Sequence, residues 1–286
     1  MTTLLIGFDS AWTPTNSGAL VGVVRLDDGT YRELGPPRTV NYPEAENIIL
    51  QWQIELKPTA TIILLDQPTI VKNAGGQRPV ENIVGSAVSL RYGGMQPANT
   101  SKTEMFGEEA PMWPFLARFG GPADPFAPLA DTRIYETYPV LAMIALLWML
   151  PDSRAAGRLP KYNPERKKTF SIFDWRHVCN FASRSFSEHG LIEIAQWIGN
   201  AAQKPLPRKT DQDGLDACLC LLVALSLAEQ KDCLMVGDQQ SGYIVVPGGK
   251  ALCAELESRC NHTGRVPSEW VRTFRLAGPP LPGIDC

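Results

Sequence analysis

Apolar residues fall along this chain in two rhythms. Short unbroken runs read as buried strands, and longer stretches with a period near 3.6 read as helices. The first run, Leu4 to Phe8, ends at Asp9. A second, Ala19 to Leu26, meets the turn Asp27-Asp28-Gly29, and a third extends from Tyr31 to Val40, so the opening reads as an antiparallel meander. Pro43 opens a helix to Leu56, closed by Pro58, and Ala60 to Asp66 is a continuous apolar run that predicts a strand buried on both faces. From Gln67 to Asp131 Gly, Pro and polar residues dominate, with helices expected over 81–90 and 109–118. The pattern then predicts a strand over 132–137 and helices over 140–150, 170–186, 191–202 and 211–230, with a basic linker from Arg154 to Lys168. A hairpin around 242–247 and a polar, Gly- and Pro-rich end complete the reading.

The order β-β-β-α-β-α followed by helices fits a mixed sheet with three antiparallel strands and parallel additions. The expected class is therefore α/β of the ribonuclease H-like type, a mixed central sheet flanked by helices. One domain covers 1–230, with 67–131 as an insertion over the active face, and 231–286 is a C-terminal extension packed on it.

Three of the predicted strands end alike, at Asp9, Asp66 and Glu136. A carboxylate next to a buried apolar run is costly unless paired or metal-bound, and open α/β folds assemble sites at strand ends. Each acid taken alone also reads as a simple strand exit. The segment Thr210-Asp211-Gln212-Asp213-Gly214-Leu215-Asp216 supplies more acids as it opens a helix that is apolar all round. Asp213 and Asp216 share a face of the first turn. Thr210 with Asp213 resembles a capping box, but capping needs one acid, and Asp216 lies deeper. Hard divalent cations want oxygen ligands, and two of them about 4 Å apart can activate a water and stabilise a leaving oxygen in phosphodiester cleavage. These carboxylates are the parts such a Mg²⁺ or Mn²⁺ site requires.

Composition narrows the setting. Among 286 residues, 44% are hydrophobic and 20% charged, enough for a large core, and the net charge of −3 argues against a surface that is basic throughout while leaving room for a local basic groove. The N-terminus reads as neither signal peptide nor anchor, and no apolar stretch is long enough for a bilayer. Seven cysteines without a Cys-x-x-Cys pair fit a reducing cytoplasm. Cys253, Cys260 and His262 lie close together but match no common zinc spacing.

Several short stretches, in order, carry a resemblance: Gly7-Phe8-Asp9, Leu65-Asp66-Gln67-Pro68, Arg78-Pro79-Val80-Glu81, Tyr135-Glu136-Thr137-Tyr138-Pro139, Arg158-Leu159-Pro160-Lys161-Tyr162 and Asp211 to Ala217. Through them the chain resembles domain-of-unknown-function family 429, whose members are predicted ribonuclease H-like nucleases. The resemblance implies Asp9, Asp66, Asp213 and Asp216 as metal ligands with Glu136 nearby. It departs at Glu81, where the family pattern expects aspartate. On this reading the chain is a divalent-metal-dependent nuclease whose partner is DNA or RNA, with Lys161, Arg158 and Arg78 as candidate substrate contacts. The basic stretch around Lys161 also reads as a solvated linker. Two other readings are an actin-like ATP-binding phosphotransferase and a non-catalytic nucleic-acid-binding protein with a relic site. Against the first, Asp9 is followed by Ser-Ala-Trp rather than by a phosphate-wrapping turn.

Overall fold

The computed structural model describes residues 2–88, 95–128, 131–151 and 157–276. The chain opens with strands β1 (Thr3–Asp9), β2 (Gly18–Arg25), β3 (Tyr31–Glu33) and β4 (Arg38–Val40), then α1 (Tyr42–Leu56) and β5 (Ala60–Leu65). The excursion carries α2 (Pro79–Val88), α3 (Thr103–Phe106) and α4 (Met112–Arg118), and leads to β6 (Thr132–Glu136). Four helices follow: α5 (Pro139–Ala145), α6 (Ile172–Glu188), α7 (Ile192–Gln203) and α8 (Lys209–Ala228). The remainder forms β7 (Cys233–Asp238), β8 (Gly242–Pro247), α9 (Lys250–His262), α10 (Pro267–Trp270) and β9 (Val271–Phe274).

The main sheet has the order β3-β2-β1-β5-β6, with β4 also on β2. β2 runs antiparallel to β1, β3 and β4, whereas β5 is parallel to both β1 and β6. The architecture is thus mixed α/β, with β1 at the centre and β5 parallel beside it, flanked by helices. The third expected strand is instead two short ones. Gly35 takes φ 99°, and Pro36 and Pro37 between them offer no backbone N–H to a ladder.

Period two sorts the strand side chains onto two faces. Leu4, Ile6, Phe8, Ile63, Leu65 and Ile134 join Ala45, Ile49 and Trp52 of α1 and Phe115 of α4 in one core. Leu5, Ile62, Leu64 and Tyr135 face the other way, into a core built with α5, α6, α7 and α8. α1 starts as its sequence dictates: the Asn41 side chain accepts from the Glu44 N–H while Glu44 reaches back to the Asn41 N–H.

α8 is buried on every side, from Asp211 to Leu227, because the sheet lies beneath it and other helices around it. It meets β1 at Gly7, where a Cβ would fall 2.1 Å from the Ala217 carbonyl oxygen and 2.5 Å from the Leu221 nitrogen. Only a glycine permits that backbone-to-backbone approach.

Other expectations shift. The helix after β6 stops at Ala145 rather than Leu150, since Leu147 turns left-handed (φ 62°) and the Trp148 N–H closes back onto the Met143 carbonyl. The end of the chain is not simply polar coil. β8-β7-β9 make a second, antiparallel sheet, and its apolar residues (Leu234, Val236, Ile244, Val246) share the core of α8. The expected helix over 81–90 has its last residues, and the basic linker its first residue of interest, Arg154, outside the described residues. No helix among the described residues is long and apolar enough to cross a membrane.

Candidate functional site

Parallel pairing places the ends of β1 and β5 side by side. Phe8 is in register with Leu65, and the Asp66 N–H donates to the Phe8 carbonyl (2.9 Å), so Asp9 and Asp66 leave adjacent strands at the same edge. Period two puts Asp9 in phase with Leu5 and Gly7, and Asp66 in phase with Ile62 and Leu64, which is the α8 face of the sheet. The first turns of α8 arrive at that edge because Ala217 and Leu221 are seated on Gly7. Asp9, Asp66, Asp213 and Asp216 accordingly line one cavity of about 640 Å³. Its other walls include Trp12, Tyr138, Lys161, Tyr162, Lys209 and Gln212.

The acids of this region differ in how they are held. Asp211 caps α8, accepting from the Arg208 N–H (2.8 Å) and from Lys204, so the capping acid is Asp211 and not Asp213. Asp216 accepts from the Tyr162 hydroxyl (2.7 Å) and from Gln212 Nε2 (2.9 Å). Asp213 pairs with Lys209. Asp9 and Asp66 stand apart, because neither side-chain carboxylate accepts a hydrogen bond among the described residues, although Asp9 is only 6% exposed.

Electrostatics follow from this crowding. Burial first, then the charges of Asp66, Asp216 and Asp213, push Asp9 well above the ordinary carboxylate range, with Lys209 opposing. Asp66 is pushed up by burial and then by Asp216, Lys209 again opposing. Burial raises Asp216 to about 6, held from going further by Tyr162, Lys209 and Gln212. Such crowding favours the neutral acids unless a cation is present.

Glu136 lines the same cavity but is held differently. Its register partner is Leu65, out of phase with Asp66, and its carboxylate is gripped by Arg78 through two hydrogen bonds (2.8 and 2.6 Å) and by the Thr69 N–H. Arg78 is fully buried and also bonds Glu81 and the Ile70 carbonyl. Glu81 in turn accepts from the Ala98 N–H. Arg78 is therefore an internal brace that ties the insertion to β6, and it has no surface to offer a substrate. Burial raises the Glu136 carboxyl despite the opposing guanidinium.

Arg158 does not line the cavity either. Its guanidinium holds Asp174 at the start of α6, an acid that also accepts from the Lys161 and Ser171 groups. Lys161 thus has its backbone N–H anchored on Asp174, and it is one of the residues lining the cavity. Of the three basic candidates, only Lys161 lines the cavity of the carboxylates.

Three residues of the cavity were missed by sequence reasoning. Lys209 sits four residues before Asp213, a spacing that signals an ion pair on a helix. Gln212 is 8% exposed, and its Oε1 finds no hydrogen-bond partner among the described residues. Trp12 adopts φ 59°, uncommon for an aromatic residue, and donates its indole N–H to the Asp66 carbonyl (3.1 Å).

Among the described residues no three His, Cys, Asp or Glu side chains are arranged to grip one metal ion. Two neighbouring carboxylates without donors, an unpaired amide oxygen and open cavity space still suit Mg²⁺ or Mn²⁺, which bind through one or two carboxylates and keep several waters. No curated protein and no solved structure matches this chain. A family model described as "Protein of unknown function (DUF429)" matches residues 16–240, a span that begins after Asp9 and takes in Asp66, Glu136, Asp213 and Asp216. With most of its length matched, the chain belongs to the DUF429 family.

Proposed function

We propose that this protein is a divalent-metal-dependent nuclease of ribonuclease H-like architecture, hydrolysing phosphodiester bonds at the cavity between β1, β5 and α8. One observation carries the reading. Asp9 and Asp66 end adjacent parallel strands with crowded carboxylates that no hydrogen-bond donor among the described residues reaches. The buried helix acids beside them, Asp213 and Asp216, have partners, and a carboxylate set at the edge of a core without one suits a bound cation. The strand order, three antiparallel strands extended by two parallel ones, supports the architecture.

Asp9 and Asp66 would hold Mg²⁺ or Mn²⁺, with Asp216 braced beside them by Tyr162 and Gln212. When bound, the ion supplies Lewis-acid polarisation of a phosphoryl oxygen and a more acidic water. The chain's own groups do the rest. Lys161 meets a phosphate at the rim, and Trp12 and Tyr138 offer apolar wall beside the site. Glu136, locked to Arg78, fixes the end of β6 and takes no part in proton transfer.

The test is turnover of labelled single-stranded, double-stranded and branched DNA and RNA with Mg²⁺ or Mn²⁺, with ATP hydrolysis assayed alongside. Metal-dependent cleavage that is lost in Asp9→Asn and Asp66→Asn is expected. Cleavage that persists in both variants, or ATP turnover with no cleavage, would overturn the reading.

A further inference from the structure

Lys209 is the first residue of α8, and a cation is electrostatically misplaced there, since a helix N-terminus favours negative charge. Capping does not explain it, because Asp211 already performs that role. What holds Lys209 is the carboxylate group. Its ammonium pairs with Asp213, it lines the same cavity as Asp9, Asp66 and Asp216, and its charge offsets theirs at each of those three residues.

The remaining oxygens are unequally available. Asp213 is engaged by Lys209, and Asp216 already accepts two hydrogen bonds. Asp9 and Asp66 are open among the described residues. So is Gln212 Oε1, on a side chain more than nine-tenths buried. Its amide cannot be turned over, since Nε2 is pinned on Asp216 and a reversed amide would set oxygen against carboxylate. Two carboxylates and one neutral oxygen lining the same cavity are donors of the kind that one hard ion completed by waters takes. A second ion would have to displace the lysine.

We propose that Lys209 is the built-in second cation of the site, so that the carboxylates take one divalent ion, on the Asp9–Asp66 side, while Lys209 faces the substrate phosphate from the Asp213 side. This rests on the metal-dependent hydrolase reading and puts an ammonium where the two-ion scheme expected from the sequence has its second ion. An ammonium neutralises a phosphoryl oxygen as a second ion does, without needing free metal, although it cannot make a bound water more acidic.

The experiment counts ions. Mn²⁺ is titrated into the intact protein and into Lys209→Met and Lys209→Arg, followed by calorimetry and by electron paramagnetic resonance, in which two Mn²⁺ about 4 Å apart give a coupled spectrum. The expected result is one uncoupled Mn²⁺ on the wild type and on Lys209→Arg. Lys209→Met should gain a second, coupled ion, or bind its first about tenfold or more tightly once the competing charge is gone. Two coupled ions on the wild type overturn the proposal and leave the hydrolase reading standing. One ion of unchanged affinity on both wild type and Lys209→Met also overturns it. No binding to the wild type removes the metal-dependent reading and this proposal together. Should Lys209→Met fail to fold, the wild-type count decides alone.

Discussion

Replacing Asp9 by asparagine keeps the shape of the side chain and removes one charge from the crowded edge of the sheet. Asp9 faces the repulsion of Asp66, Asp216 and Asp213 and the attraction of Lys209. Each like-charged pair at 4–6 Å costs about 3–4 kcal/mol at an effective dielectric near 20. Protonation limits the total. From an ordinary value of 3.8, the raised Asp9 can cost the fold at pH 7 no more than about 4 kcal/mol, the work of protonating an ordinary carboxylate there. Burying an amide without a full set of partners takes back about 1–3 kcal/mol. The chelator-treated variant should therefore be more stable than the chelator-treated parent by about 1–2 kcal/mol, or roughly 2–3 °C in Tm. The pH dependence has a fixed sign. A carboxyl with a raised folded pKa contributes stability in acid that is lost as pH rises from the ordinary range through the folded value. The advantage of the variant should then shrink toward pH 4 and grow toward pH 8. Saturating Mg²⁺ or Mn²⁺ reverses the order, adding about 2.7 kcal/mol to the parent at a hundred times Kd and much less to the variant. Melting curves of both proteins over pH 4–8, with chelator and with each ion, measure all of this. An Asp9→Asn protein that is less stable at every pH, beside a parent indifferent to metal, would refute the reasoning.

Arg78→Met should destabilise the protein by about 3–5 kcal/mol in urea unfolding, because it strands the buried Glu81 and Glu136; a loss under 1 kcal/mol would mean the brace is dispensable. Lys161→Ala should lower the salt slope of nucleic-acid binding by about one, whereas Arg158→Ala should leave the slope alone and lower Tm through Asp174. The opposite pattern would return Arg158 to the substrate. Brief alkylation of the native protein should label Cys253 well before Cys179, Cys218, Cys220 and Cys233, which are buried and whose thiols burial pushes up. Early labelling of Cys218 or Cys220 would show that α8 is not sealed.

The frame of the molecule was legible wherever one local signal was enough. Unbroken apolar runs marked β1 and β5, an all-apolar stretch marked α8, and acids at their ends marked the cavity. Failures came where distant residues decide. Nothing local to Arg78 announces Glu136, 58 positions away, so an arginine flanked by glycines and proline reads as a surface contact when it is a core ion. Arg158 misled for the same reason, since its partner Asp174 lies in the next helix. The last strand, β9, escaped notice because it pairs with β7 across the intervening β8 and two helices. Lys209 was within reach, as its distance from Asp213 is one helical turn, but a lysine beside an expected cap reads as solvent-facing until the strand carboxylates are brought beneath it.

The contact of Gly7 with α8 bears on what can vary in this molecule. Most cavities in proteins are dimensioned by side chains, so their geometry drifts as cores are repacked. Here the gap between strand acids and helix acids is set by main chain against main chain, two residues before Asp9 and one turn after Asp213. Leucines and valines elsewhere in α8 can exchange without altering that gap, whereas a single methyl at position 7 acts as a shim. Gly7→Ala would open the helix from the sheet and draw Asp213, Asp216 and Lys209 away from Asp9 and Asp66 together. The spacing of the carboxylates, and with it the size of cation that they could share, is thus encoded in one missing side chain outside the site.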